Sequence, residues 1–203
     1  MKKPWQRNRG YERSLDTRSI RERILVCCEG KKTEPNYFRK FPIDIELVEI
    51  DINGGVNTIA LVNDAVARKD KAEKGGCPYN QVWCVFDRDD FPPDHFNQAI
   101  SKAKDNQIRV AYSNPCFELW YYLHFHYIDA AIDRKKYCGN LSYWMKKKYE
   151  KNDGDMYSFL KDKQQTAINN AKKLRNSYYP CNPERDNPST TVYLLVETLN
   201  KFI

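Results

Sequence analysis

Three carboxylates carry the most chemistry in this chain: Glu29, which closes the apolar run ILVCC, and Asp87 and Asp89, which flank Arg88 at the close of QVWCVFDRD. If the chain stays extended through Arg88, Asp87 and Asp89 point to one side, because strand side chains alternate with a period of two. Carboxylates crowded this closely repel one another and need compensation, from water in a polar turn or from a cation in a site. Taken singly, DRDD reads as a polar turn partly neutralised by Arg88, and Glu29 reads as a cap for the next helix. Placed at matching ends of two strands, they read together as an all-oxygen pocket, which suits Mg²⁺ or Mn²⁺.

The elements that would position them follow from periodicity. ILVCC, IELVEIDI, QVWCVFD and IRVAYS read as buried strands. Between and after them, TEPNYFRKF, TIALVNDAVARKDKA, DHFNQAISKAKDN and NPCFELWYYLHFHYI read as helices. Continuous apolar strands separated by helices predict an α/β fold, with a mostly parallel sheet covered by helices on both faces. Sites in such sheets form outside the C-terminal ends of the strands, where the acidic residues stand. Asn114 is expected to cap the helix that begins at Pro115, and Ser189 or Thr190 to start a last amphipathic helix through Val192, Leu195, Val196 and Leu199. The expected organisation is a basic arm over 1–22, an α/β core over 23–130 and a helical extension over 131–203 that packs back on the core.

Composition supports a folded chain of one domain with an appendage: 203 residues, 41% hydrophobic, with fourteen Tyr and four Trp. No run approaches the roughly 20 apolar residues of a membrane helix, and the charged N-terminus lacks an apolar segment behind it, so a cytoplasmic protein without a membrane partner is expected. The seven cysteines form no CxxC pair and read as reduced thiols. The net charge of +7 is unevenly placed: residues 1–23 hold eight Lys/Arg against three Asp/Glu, and 134–175 hold twelve against four. Basic flanks around an acidic body suit a protein that gathers phosphates around a cation, or they are a solvated helix face.

Glu at the end of a first strand, followed by Gly, with DxD closing a later strand, resembles the topoisomerase-primase (TOPRIM) domain. More closely, VCCEGKKTEPNYF, VFDRDD, SNPCFELWYYLHF and NPSTTVYLLVE resemble, in that order, the RloB-like family over roughly residues 23–200. The resemblance implies a TOPRIM-like fold and an association with bacterial restriction and phage-defence loci. It also implies that Asp87 and Asp89 hold divalent metal while Glu29 helps hold it or handles a proton.

Supporting residues are less determined. Glu34 either coordinates metal or stabilises a helix N-terminus. Lys32 either meets a phosphate as part of the catalytic set or faces solvent. Asp90 points away from the DxD pair if the strand continues. Glu118 stands among Phe117, Leu119, Trp120 and Tyr122, and needs either the metal or a basic or hydroxyl partner in the core, because burying it alone is costly. His124 and His126 read as structural histidines. Lys146, Lys147, Lys148, Lys172, Lys173 and Arg175, interleaved with aromatics, could bind the phosphates of a nucleic acid or be a solvated face.

The expected function is metal-dependent hydrolysis of DNA or RNA in an anti-phage or restriction-associated system. The family resemblance also implies an ATPase partner protein, and nothing in this sequence resembles a P-loop of its own. The alternative is a non-catalytic nucleic-acid-binding or effector subunit.

Overall fold

The computed structural model describes residues 22–44, 48–52, 58–88 and 93–203. The arm expected over 1–22, except Glu22, lies outside the described residues, as do Asp89 and Asp90.

The chain is α/β. Strands β1 (Ile24–Cys28), β2 (Val48–Ile52), β3 (Gln81–Asp87) and β4 (Arg109–Asn114) are parallel, and a two-residue β5 (Ser189–Thr190) adds to β4 antiparallel, in the order β2-β1-β3-β4-β5. Helices α1 (Thr33–Phe38), α2 (Thr58–Lys74), α3 (Pro93–Asp105) and α4 (Glu118–Tyr122) follow the first four strands. Helices α5 (Arg134–Met145), α6 (Met156–Leu160), α7 (Gln164–Asn176) and α8 (Val192–Leu199) follow, with short 3-10 turns at Lys161–Lys163 and Asn200–Phe202.

All five residues of β1 are buried, because the strand is central and both faces of the sheet are covered. Alternation divides its side chains between two cores. Leu25 and Cys27 join Val82, Cys84 and Phe86 of β3 under α2 and α3. Ile24, Val26 and Cys28 join Trp83 and Val85 in a larger core built with α1, α4, α7 and α8. Such two-sided burial is why these strands read as unbroken apolar runs rather than alternating ones.

Two local expectations are corrected. Asn114 ends β4 and caps no helix; its side-chain amide donates to the carbonyls of Pro183 and Glu184 at 3.0 and 2.9 Å, and α4 begins only at Glu118. Ser189 and Thr190 do not open the last helix but pair with Asn114 and Ser113, leaving Thr191 at the α8 N-terminus. Hydroxyls fix this junction: Thr190 Oγ1 donates to the Tyr112 carbonyl at 2.9 Å, and the Tyr112 N–H donates to Thr191 Oγ1 at 3.0 Å. Among the described residues no helix is long and apolar enough to cross a membrane.

His124 lies wholly inside the larger core, 1% exposed, with Nδ1 bonded to the Trp120 carbonyl at 2.9 Å. Burial lowers its pKa from 6.5 to about 4. The unfolded chain therefore takes up a proton that the folded chain refuses, so stability is complete above the unfolded pKa and is lost as pH falls from about 6.5 toward 4. The loss should reach about 3 kcal/mol, at 1.36 kcal/mol per pKa unit. Urea midpoints at pH 7 and pH 4.5 measure it, and the difference should shrink in His124→Leu.

Candidate active site

The C-terminal ends of β1 and β3 lie side by side: Cys28 pairs with Val85, and the Glu29 N–H donates to the Val85 carbonyl at 3.0 Å. Glu29 and Asp87 are therefore brought to one edge of the sheet, as their sequence positions predict. Glu29 leans toward α2, where Thr58 Oγ1 donates to its Oε1 at 3.2 Å. Asp87 leans toward α4, and its Oδ2 accepts the Phe117 N–H at 3.1 Å. Arg88 reaches Glu184 at 3.9 Å, and its N–H donates to the Ser113 carbonyl.

Glu34 is buried at the start of α1, and its carboxylate lies against Gly30, where a Cβ would collide with both of its oxygens. The EG pair thus has a physical reason: glycine leaves the space that lets Glu34 fold back over the loop carrying Glu29. Lys32, by contrast, is exposed at the N-cap of α1 and makes no side-chain cap bond.

Glu118 is 3% exposed and is satisfied by a hydroxyl and a cation. Tyr149 donates to its Oε1 at 3.3 Å, and Lys151 stands 3.7 Å from the same oxygen. The structure thereby gives Glu118 the basic and hydroxyl partners of the structural alternative, yet places the group beside Asp87. Burial, then Glu118, then Asp87 push the Cys116 thiol far above its ordinary range. Glu118, against the effect of burial, holds the Lys151 ammonium more firmly protonated, with Cys116 and Asp87 contributing. Arg134 belongs to the same neighbourhood, donating to the Pro115 carbonyl at 2.6 Å.

The segment carrying Lys151 is strapped to α1 and α5 by three hydrogen bonds. Thr33 donates to the Lys151 carbonyl at 3.2 Å, Asn36 to the Asn152 carbonyl at 3.5 Å, and the Tyr149 N–H to Ser142 Oγ at 2.9 Å. Lys151, Thr58 and Arg134 are the residues that sequence reasoning missed, and Tyr149, one of the aromatics among the lysines, is buried on Glu118 rather than free to stack on a base. Lys151 sits in a lysine-rich run with nothing to distinguish it from Lys146, Lys147 and Lys148; only its folding onto α1 and α4 selects it.

Of those three, all exposed, Lys147 pairs with Asp153 at 2.7 Å. On α7, Lys172 pairs with Glu197 at 2.6 Å, Lys173 lies 4.0 Å over the Tyr127 ring and Arg175 reaches the Tyr193 hydroxyl at 3.4 Å. His126 is exposed and rests against Trp144.

The donor chemistry fits a hard divalent cation, since the strand-end groups are carboxylates with a threonine hydroxyl beside them. Among the described residues no group of three or more His, Cys, Asp or Glu stands ready to hold one ion. The third carboxylate expected there, Asp89, lies outside the described residues.

Parallel strands ending in carboxylates, with the Glu118–Lys151 pair on the helix that follows, define an α/β protein with an acidic site at the carboxyl edge of its sheet. The model of the RloB-like protein family matches residues 24–199, and the chain belongs to that family. No curated protein and no solved structure matches it.

Proposed function

We propose that this protein is a divalent-metal-dependent nuclease, hydrolysing phosphodiesters of DNA or RNA in a bacterial defence or restriction-associated system. The observation that carries the reading is Asp87 at the carboxyl end of β3, bonded to the Phe117 N–H and next to Glu29 at the end of β1, with the Glu118–Lys151 ion pair on the following helix and Arg134 on the Pro115 carbonyl ahead of it. Carboxylates alone would suit any cation; carboxylates with a lysine and an arginine beside them suit a phosphate bridging both signs of charge.

Glu29 and Asp87, with Asp89, would hold the Mg²⁺ or Mn²⁺. When bound there, the ion supplies positive charge to the phosphodiester and makes water a better nucleophile. The chain's own groups do the rest. Thr58 orients Glu29 by bonding one oxygen, leaving the carboxylate able to take a proton from an attacking water. Glu118 fixes the Lys151 ammonium at the mouth of the site, where that side chain is 68% exposed and accessible to a phosphate oxygen. Phe117 holds Asp87 through its N–H. The exposed Lys146 and Lys148 would hold more distant phosphates, and an ATPase partner would supply control that this chain lacks a P-loop to provide.

Metal removal tests the reading. Purified protein incubated with labelled single- and double-stranded DNA and RNA should cleave at least one substrate in Mg²⁺ or Mn²⁺, lose that activity in EDTA, and regain it on adding the ion back. Failure of every substrate in both ions, with retained nucleic-acid binding, would favour the non-catalytic effector. Lys151→Ala should lower cleavage about tenfold or more while leaving the ion affinity from calorimetry unchanged, since a charge-assisted contact to phosphate is worth about 1.5–3 kcal/mol.

A further inference from the structure

At the other end of the sheet, where β3 and β4 begin, a cleft of about 890 Å³ opens between α3 on one face and α8 on the other. That volume lies within the roughly 300–1,000 Å³ of small-molecule sites. The α3 side is apolar, with the half-buried Ile100 and Val110 over the buried Ile108, and Leu194 faces the cleft from the α8 side. Around it stand the cations Lys69, Lys104, Arg109 and Lys201. The carboxylate in the lining, Glu197, is already engaged by Lys172 at 2.6 Å.

Two of the cations are held in place. Lys69 donates to the Asn106 carbonyl at 2.8 Å, and the Arg109 guanidinium lies 5.4 Å from the centre of the Trp83 ring. Lys104 and Lys201 are exposed at the rim. Four cations against a single engaged carboxylate select a polyanion, while the apolar wall gives nothing to a bare phosphate.

We propose that this cleft binds a free nucleoside polyphosphate, its ring against Ile100 and Val110 and its phosphates toward Lys104, Arg109 and Lys201. The site is separate from the carboxylates at the carboxyl ends of the strands, and it stands or falls independently of the nuclease reading.

The test is calorimetric titration of ATP, adenosine and pyrophosphate into the full chain in EDTA, so that no metal site contributes. ATP should saturate, with adenosine and pyrophosphate each weaker by about tenfold or more, as expected when ring and phosphates both contribute. Lys104→Glu combined with Lys201→Glu should weaken ATP by about tenfold or more. These side chains are exposed, so the fold should persist, which thermal melting verifies. Asp87→Asn should bind ATP as the wild type does. The proposal is overturned if ATP fails to saturate at millimolar concentration, if pyrophosphate equals ATP, if the double charge reversal changes nothing, if Asp87→Asn abolishes binding, or if a single-stranded oligonucleotide displaces ATP from the cleft.

Discussion

Asp87→Asn is expected to reduce the proposed cleavage by about 10³-fold and to leave the melting temperature within a few degrees of the wild type. The amide keeps the shape of the side chain, and its oxygen still accepts the Phe117 N–H that the carboxylate accepts at 3.1 Å, so the turn into α4 is preserved. What disappears is the negative charge. An ion at a phosphodiester supplies several kcal/mol of transition-state stabilisation, and each 1.36 kcal/mol is tenfold in rate, so losing its anchor is costly. Calorimetry should show the same variant failing to bind Mg²⁺. Full activity with retained ion binding would remove Asp87 from the catalytic set.

The largest effect on stability is expected for Trp120→Ala. The Trp120 side chain is fully buried in the larger core and meets the His124 ring edge-to-face at 4.9 Å. It lies on α4 among Phe117, Leu119, Tyr121 and Leu123, all of them buried, so the space it vacates is bounded by packed neighbours that cannot easily collapse into it. Large-to-small replacement of such a residue costs about 3–5 kcal/mol. Against a typical total of about 5–15 kcal/mol, that is a large share of the stability. Urea denaturation should show the lower midpoint with an unchanged slope, and the melting temperature should fall by about 10 °C. A loss below 1 kcal/mol would mean that the core refills the cavity.

These two predictions differ in how far the sequence alone could have reached them. Strands such as ILVCC and QVWCVFD are legible because burial on both faces leaves an unbroken apolar signature, and the carboxylates that close them inherit their positions. Glu29 and Asp87 could therefore be placed at one sheet edge before any coordinates. The junctions could not. Asn114 is a favourable capping residue by type, yet its amide is recruited by carbonyls 69 and 70 residues away. Ser189 and Thr190 form a strand too short to carry any period, held by hydroxyl bonds across 77 and 78 residues. Lys151 was illegible for the same reason: its place beside Glu118 depends on Thr33, 118 positions earlier, donating to its carbonyl. Local pattern reports which side chains are buried; it does not report which distant backbone will satisfy a polar group.

The addition of β5 to β4 and the docking of residues 149–152 on α1 have a consequence for the growing chain. During synthesis, β4 presents an unpaired edge until residues 189–190 have emerged, and an open edge is a template for pairing with other chains. Lys151 likewise reaches Glu118 only after about three quarters of the 203 residues have been made. The proposed site is thus assembled late, from segments far apart along the chain, so nascent fragments carrying Glu29 and Asp87 are expected to be inert toward nucleic acid while the ribosome still holds them.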